Sequence, residues 1–103
     1  MRSHPMTIYV VVDNAVHNAE EYAKYLKLIT PTVEKYGGRY VIRAGEILLA
    51  DTDWQPDRLV VIAFDDQEQA MQWVTASDVT PIHDMRRANA TSRLIVIKGF
   101  DET

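Results

Sequence analysis

Three of the four segments with strand-like composition are apolar at nearly every position, and this feature constrains the fold most strongly. Residues 8–12, 59–64 and 94–97 consist mainly of Val, Ile, Leu and aromatic side chains, which β-strands favour. A strand with water on one face alternates apolar and polar side chains. These three strands do not alternate, so we expect both of their faces to be buried from solvent.

Helical periodicity fills the segment after the first strand, whose end is predicted at Asp13-Asn14. Asn18 and Glu21 form a capping-box pattern that predicts a helix start. Apolar side chains then recur on one helical face, at Tyr22, Leu26, Ile29 and Val33. Pro31 interrupts the pattern and predicts a kink or a restart of the helix. Gly37-Gly38 predicts its end, because a left-handed C-terminal cap favours glycine.

The remaining elements have shorter signals. Residues 39–43 alternate and predict a second strand, and residues 46–56 predict an extended arm and a turn-rich loop. Asp66 and Gln69 repeat the capping-box pattern at the start of a second long helix. Thr80-Pro81 predicts a short helix with Thr80 as its cap and the proline in its first turn.

The order of these elements is strand, helix, strand, strand, helix, strand. It predicts an α+β domain in which two βαβ crossovers interleave into a four-stranded antiparallel sheet with the helices on one face. We assign residues 1–6 to a flexible N-terminal tail and residues 7–103 to this single domain. No element remains to cover the other face of the sheet, so we expect a homodimer in which the sheets of two copies pack together.

Composition excludes several classes of protein and site. Apolar residues make up 47% and charged residues 25% of the chain, as in ordinary globular domains. The net charge is −4, and no basic stripe of the kind that binds nucleic acid is visible. The chain has no cysteine, which excludes thiolate nucleophiles, disulfides and cysteine-ligated metals. Without a bilayer-length apolar run or a secretion signal, we expect a cytoplasmic protein with no membrane or nucleic-acid partner, no metal and no cofactor.

The stretch from Pro31 to Arg58 carries a resemblance to a known family. Residues 33–43 read VEKYGGRYVIR, where the domain-of-unknown-function family numbered 1330 has the pattern kyGGrylvRgG. After an arm, Trp54, Pro56 and Arg58 match the pattern W-x-P-x-R that leads into an apolar strand. The likeness covers nearly all of the chain after residue 6 and continues at Pro81, Ile82 and Arg86. It implies a ferredoxin-like fold, βαββαβ, and a dimeric α/β barrel, but no settled activity.

The chain departs from the family pattern at several positions. Ala44 and Asp51-Thr52 stand where the family tends to have Gly and Glu-Gly. Three usually polar positions, an acid, a serine and a tyrosine, are occupied by Ala63, Ala76 and Val79. If those groups do chemistry in relatives, this chain has lost that chemistry or accepts a more apolar ligand.

Arg43 is the first candidate ligand-binding residue. On an alternating strand it shares a face with Arg39 and Val41, away from Tyr40 and Ile42. If that face meets the interior of the barrel, Arg43 could bind a carboxylate or an enolate through two hydrogen bonds. The alternative, which we favour, is an ion pair with one of the acids of the neighbouring arm, which are Glu46, Asp51 and Asp53.

The arm and its loop supply further candidates, Asp51, Trp54 and Arg58. The acids of this loop do not match a calcium loop, because Pro56 and Ile62 stand where that template needs Gly and Glu. Trp54 is a ligand lid or, more simply, a loop anchor whose ring is packed and whose N–H finds a carbonyl. We expect Arg58 to pair with an acid of the same loop.

The short helix carries His83 and Arg86, the last two candidates. His83 could be a general base, since an unperturbed histidine titrates near neutrality, but a lone histidine on a surface helix is more often structural. Asp84 and Arg87 have the spacing of an ordinary helical ion pair. No nucleophile elbow, P-loop or dinucleotide fingerprint is present.

Two hypotheses follow for function. In the first, the domain binds a small organic ligand, anionic or aromatic, or merely dimerises, without turnover. In the second, it is a cofactor-free enzyme of the isomerase, decarboxylase or oxygenase type, in which Arg43 holds an anionic group, Arg86 assists and His83 or a tyrosine moves a proton. The second rests on fold analogy with relatives of the barrel, and the apolar replacements at Ala63, Ala76 and Val79 favour the first.

Overall fold

The elements of the computed structural model, which describes residues 6–100, follow the predicted order. They are strand β1 (Ile8–Val16), helix α1 (Ala19–Lys35), strands β2 (Gly38–Arg43) and β3 (Arg58–Phe64), helices α2 (Gln67–Thr75) and α3 (Thr80–Asn89), and strand β4 (Ala90–Lys98). The predicted tail, residues 1–6, lies outside the described residues except for Met6. Within the described part of the chain, none of the helices has the length and apolar character needed to cross a membrane.

The four strands form one antiparallel sheet in the order β2-β3-β1-β4. β1 lies inside the sheet, where Val10 is paired with Ile62 of β3 and with Val96 of β4. β1 runs to Val16, so its predicted end at Asp13-Asn14 was wrong. The pairing of Asn14 with Arg58 and Ser92 keeps the strand regular to that point, and this brings Asn14 into the domain.

The core lies between one face of the sheet and the helices. Every second residue of β1, from Ile8 to Asn14, is buried, and Val10 and Phe64 have no exposed surface. α1 contributes Ile29 and Val33 to the same cluster, and α2 contributes Trp73. Burial of each large apolar side chain contributes about 1.5–3 kcal/mol before chain entropy is counted, so this layer stabilises the sheet.

Local capping signals were correct for two of the three helices. The side chain of Asn18 accepts a hydrogen bond from the Glu21 N–H at 3.2 Å, and Asp66 accepts one from Gln69 at 2.8 Å. Thr80 was wrongly expected to cap α3: the cap position is Val79, which makes no side-chain capping bond, although the proline does lie in the first turn.

Pro31 neither restarts nor ends α1, which is a single helix of 17 residues. The helix continues past the proline because its inward face stays buried on both sides, at Ile29 and at Val33. The chain then leaves the helix through Gly37, at φ +87°, a conformation that favours glycine. Gly38 is required for a second reason, since a Cβ there would lie 2.7 Å from the Phe64 ring.

A β-bulge in β2 changes the face on which Arg43 lies. Tyr40 is paired with Ile62, but Ile42 is paired with Val61 and Arg43 with Val60, so the register shifts at Val41. One extra residue inverts the side-chain parity of everything that follows it in a strand. Arg43 therefore lies on the helix-covered face together with Tyr40, and the predicted grouping of Arg43 with Arg39, away from Tyr40, was wrong.

The opposite face of the sheet, called here the open sheet face, is largely apolar and is not covered by any described element. Its apolar members are Tyr9, Val11, Ile42, Leu59, Val61, Ala63, Ile95 and Ile97, and the register places Asp13, Arg39 and Arg93 on the same face. Ile95 is 56% exposed and Ile97 50%. The prediction that apolar side chains occupy both faces of β1, β3 and β4 is therefore correct.

The arm between β2 and β3, residues 44–57, has no helix or strand. It carries apolar side chains into solvent, and Leu48 is 88% and Leu49 80% exposed. The Cα radius of gyration is 14.6 Å, compared with about 13 Å for a compact chain of this length. The arm is thus a second apolar surface that the single chain leaves exposed.

Candidate functional site

A narrow cavity lies between the helix-covered face of the sheet and α1. Its lining residues are Val12, Asn14, Tyr22, Tyr25, Leu26, Ile29, Tyr40, Arg43, Arg58, Val60, Ile62 and Trp73. The space among these side chains, called here the central cavity, measures about 340 Å³ including part of its opening to solvent. Its enclosed part has room for about one water molecule, so any organic ligand requires the side chains at the mouth to move.

Aromatic rings form much of the cavity wall. The rings of Tyr22 and Tyr25 lie 5.1 Å apart on α1. Trp73 is 1% exposed, and its indole N–H donates a 2.9 Å hydrogen bond to the Thr32 hydroxyl. Buried tryptophans usually satisfy this N–H, so Trp73 is a fixed wall rather than a movable one.

Two buried polar atoms of the cavity lining have no hydrogen-bond partner among residues 6–100, namely Asn14 Oδ1 and Arg58 Nε. The Asn14 amide is 2% exposed and donates through Nδ2 to the Tyr22 hydroxyl at 2.9 Å. Rotated by 180°, the amide would accept from Tyr22 and offer its N–H groups to the cavity instead. A buried unpaired polar group costs about 1–3 kcal/mol, so the cavity is suited to a polar guest that pairs with both residues.

Arg43 and Arg58 bring positive charge to the cavity. Arg43 is exposed at the mouth, where it donates a 2.6 Å hydrogen bond to the Thr30 hydroxyl and lies 4.3 Å from the centre of the Tyr40 ring. Arg58 is half-buried, with its guanidinium 5.4 Å from the centre of the Tyr22 ring.

Neither arginine forms the ion pair expected of it within the described residues. The bulge places Arg43 on the helix-covered face, where it bonds Thr30, and Asp57 of the loop accepts the Val16 N–H instead of pairing with Arg58. No carboxylate of residues 6–100 lines the cavity, so its charged groups favour an anion.

His83 and Arg86 lie behind the cavity wall, and neither lines it. Both are 2% exposed, so the expectation of a histidine on a surface helix was wrong. The centre of the His83 ring lies 4.5 Å from that of Trp73, and the two rings meet edge-on. His83 Nε2 lies 3.1 Å from the Trp73 carbonyl oxygen. The sequence pattern of α3 did not reveal this, because α3 is polar on average and its burial depends on contact with α1 and α2.

Hydrogen bonding fixes the form of the His83 ring. Arg86 Nη1 lies 2.7 Å from His83 Nδ1, and because arginine can only donate, Nδ1 accepts and the proton resides on Nε2. Burial lowers the pKa of His83, and the charges of Arg86 and Arg87 act in the same direction. His83 is therefore neutral, and both of its ring nitrogens already form hydrogen bonds within the protein. This arrangement does not suit the predicted role of a general base.

Tyr25 separates Arg86 from the cavity. Burial raises the pKa of Tyr25 to about 12, while the Arg86 guanidinium beside it opposes this rise as a charge and as a hydrogen-bond donor. Sequence reasoning missed Tyr25 and Asn14. Tyr25 lies three positions after Tyr22, a spacing that places both on one helical face, and this was the available signal.

Asp51 and Trp54 lie on the arm and not in the central cavity. They line a shallow depression with Leu59 and other arm residues. Trp54 is 62% exposed, so its predicted role as a packed loop anchor was wrong. The six predicted residues therefore fall into three pairs: Arg43 and Arg58 line the cavity, His83 and Arg86 lie behind it, and Asp51 and Trp54 are separate.

The apolar replacements of the family pattern do not touch the cavity. Ala63, Ala76 and Val79 are absent from its lining, and Ala63 and Val79 have no exposed surface. These three replacements therefore do not alter the lining of the central cavity. Among residues 6–100 there is also no group of three His, Asp or Glu side chains that could hold a metal ion.

Comparison with solved structures shows the same fold in several proteins. A protein of unknown function from Rhodopseudomonas palustris has a TM-score of 0.73 and 19% identity over 93% of this chain and 84% of that one. The cofactor-independent oxygenase SnoaB from Streptomyces nogalater has a TM-score of 0.64 and 18% identity over 93% and 95%. A conserved protein from Methanosarcina mazei has a TM-score of 0.63 and 16% identity over 92% and 94%.

These likenesses confirm the predicted ferredoxin-like fold. At such low identity they show the fold alone. No curated protein matches the chain. The model of a family described as a domain of unknown function, DUF1330, matches residues 7–100, so the chain belongs to the DUF1330 family, as its sequence pattern predicted.

Proposed function

We propose that this domain binds a small organic anion in the central cavity. The observation that carries the proposal is the unpartnered buried donor Arg58 Nε, in the wall of a cavity that no carboxylate of residues 6–100 lines. Arg58 donates to the anionic group, and Asn14 does so through Nδ2 when its amide is rotated and Oδ1 accepts from Tyr22. The aromatic wall of Tyr22, Tyr25 and Trp73 contacts the remainder of the ligand. Ligand pockets commonly combine an apolar wall with a few convergent polar groups in this way.

Arg43 has a different part in the proposal, at the mouth of the cavity. Its bonds to Thr30 and to the Tyr40 ring are made by an exposed side chain, so little burial is lost when it moves. Arg43 swings aside to admit the anion and then closes on it as a second positive charge. Asp51 and Trp54, also predicted from the sequence as ligand contacts, stay a prediction.

The proposal is tested by an NMR titration with benzoate, a small aromatic anion, and with benzyl alcohol as its neutral counterpart. The chain has two tryptophans, and their indole N–H signals report separately on the buried Trp73 and the exposed Trp54. We expect benzoate to shift the Trp73 signal and to bind at least about tenfold more tightly than benzyl alcohol. A shift of the Trp54 signal would support the contact predicted on the arm.

Two variants make this experiment specific. Arg58→Gln should weaken benzoate binding by about tenfold or more. Arg87→Gln is the matched control, because Arg87 is exposed on α3, pairs with Asp84 and does not line the cavity. If millimolar benzoate leaves the Trp73 signal unchanged, or if the two variants weaken binding equally, the proposed site is wrong.

A homodimer formed through the open sheet face is the second part of the proposal. Apolar side chains that are half-exposed in the single chain, such as Ile95 and Ile97, would be covered by the same face of another copy. Closed pairing of identical faces is the commonest form of homo-oligomer. The arm, with Leu48 and Leu49 largely exposed, adds apolar surface next to this face.

Catalysis without a cofactor is the second candidate function. The observation that favours it is a phenol, Tyr25, in the cavity lining with a buried guanidinium behind it, since a tyrosine in such a place can exchange a proton with a ligand. Incubation of 2-oxo acids with the protein in D₂O tests this. Protein-dependent loss of the NMR signals of the protons next to the oxo group would support turnover, and its absence would favour binding alone.

A further inference from the structure

Arg86 is a buried cation without a carboxylate partner among the described residues. It is 2% exposed and belongs to none of the ion pairs there. A buried charge is costly to desolvate unless hydrogen bonds or an opposite charge compensate it. The charge of Arg86 is therefore compensated by hydrogen bonds to neutral groups alone, and it remains available to favour a negative charge nearby.

The hydrogen bonds of Arg86 are all donated, because arginine has no acceptor atom. Nε donates to the Ser92 hydroxyl at 2.8 Å and Nη1 donates to His83 Nδ1 at 2.7 Å. His83 is in turn held by the Trp73 carbonyl. These bonds fix the guanidinium against β4 and α2, so its position is determined before any ligand binds.

The Tyr25 phenol is 6% exposed and lines the central cavity. The charge of Arg86 lowers the pKa of this phenol, against the burial that raises it to about 12. Within residues 6–100, no side-chain hydrogen bond uses the hydroxyl proton of Tyr25, and Arg86 does not line the cavity.

We propose that Tyr25 donates a hydrogen bond to a negatively charged oxygen of the ligand in the central cavity, and that Arg86 is the positioning residue whose charge polarises this phenol. This inference rests on the proposed function and adds the ligand class. The ligand is a phenolate or an enolate, in which negative charge resides on an oxygen that a phenol can meet. Arg86 strengthens the donor through one intervening residue, as a positive charge stabilises a hydrogen bond made by its neighbour.

The test uses p-nitrophenol as a probe, because its neutral and ionised forms absorb at different wavelengths. With the wild-type protein at saturation, we expect the bound probe to ionise at a lower pH than the free probe. Tyr25→Phe removes the donor and keeps the ring, and it should lower the ratio of bound anion to bound neutral probe about tenfold. Tyr36→Phe is the matched control, because the Tyr36 hydroxyl bonds Asp78 and does not line the cavity.

Arg86 is tested with Arg86→Met and with Arg86→Lys. The first should shift the bound probe towards its neutral form, and the second, which keeps the charge, should restore part of the ionised fraction. Because the readout is the ionisation state of the bound probe at saturation, a merely structural loss of affinity would not change it. If Arg86→Met does not fold, Arg86→Gln takes its place, because glutamine keeps hydrogen-bond donors without the charge, and an ionised fraction equal to that of wild type would overturn the role given to Arg86.

Each outcome has a distinct meaning. If the probe binds and ionises equally in wild type and Tyr25→Phe, the inference about Tyr25 is overturned and the anion site itself stands. If neither benzoate nor p-nitrophenol binds to the wild type, the proposed function fails and this inference fails with it. If the probe binds only in its neutral form, the ligand class is wrong.

Discussion

Tyr25 should make the protein sensitive to alkaline pH, and Tyr25→Phe should remove that sensitivity. Burial raises the pKa of the Tyr25 phenol from 10.0 to about 12, so the folded state retains a proton that the unfolded chain loses. The stability that this contributes is fully present below pH 10 and disappears as the pH rises towards 12. A pKa difference of one between the folded and unfolded states corresponds to about 1.4 kcal/mol, so the full effect is about 2.7 kcal/mol, and about half of it is lost by pH 11.

Urea unfolding at pH 8, 9, 10 and 11 measures this effect. Other tyrosines and the lysines also titrate in that range, so the informative quantity is the difference between wild type and Tyr25→Phe. That difference should change by about 1.4 kcal/mol between pH 8 and pH 11. Ile29→Val, another change on the buried face of α1, should differ from wild type by the same amount at every pH. A Tyr25→Phe difference that is also constant with pH would refute the reasoning.

Three further predictions follow from named contacts. Burial lowers the pKa of His83, so the stability contributed by the neutral ring should be lost as the pH falls below about 6.5. His83→Gln should therefore make the free energy of urea unfolding less dependent on pH in this range, and an unchanged dependence would contradict the prediction. Ile95 is 56% exposed on the open sheet face, so Ile95→Glu should leave the chain folded. The variant should sediment with the 11.8 kDa mass of one copy. A wild-type protein that already sediments as one copy would contradict the dimer. Trp73→Phe removes the indole hydrogen bond to Thr32 and part of a fully buried ring. It should lower the free energy of unfolding in urea by about 2 kcal/mol. A decrease under about 0.5 kcal/mol would show that the aromatic wall of the central cavity is not rigid.

The architecture could be predicted from the sequence because it depends on short-range signals. The caps of α1 and α2 involve residues three positions apart, such as Asn18 and Glu21, and both were found where expected. The apolar runs of β1, β3 and β4 likewise indicated a sheet with two dry faces. Pro31 shows the limit of such signals, since burial of neighbouring residues in α1 outweighed its local effect.

The site was less predictable because it depends on contacts between distant segments. Arg43 lines the central cavity, but on the face opposite to the one predicted, because the bulge at Val41 shifts the register. Asn14 was assigned to a strand end, although its pairing with Arg58 brings two uncompensated polar groups together. The expected exposure of His83 was wrong because packing against Trp73 of another helix buries it.

The single extra residue at Val41 also has a consequence for how this family can diversify. Deletion of Val41 would remove the bulge but leave Ile42 opposite Val61 and Arg43 opposite Val60, so Arg43 would remain on the helix-covered face. A change of register without a deletion would act differently, because regular alternation from Tyr40 onwards would turn Arg43 to the open sheet face. Related chains can therefore lose one residue at this point and keep an arginine at the cavity mouth, whereas chains of equal length that lack the bulge cannot.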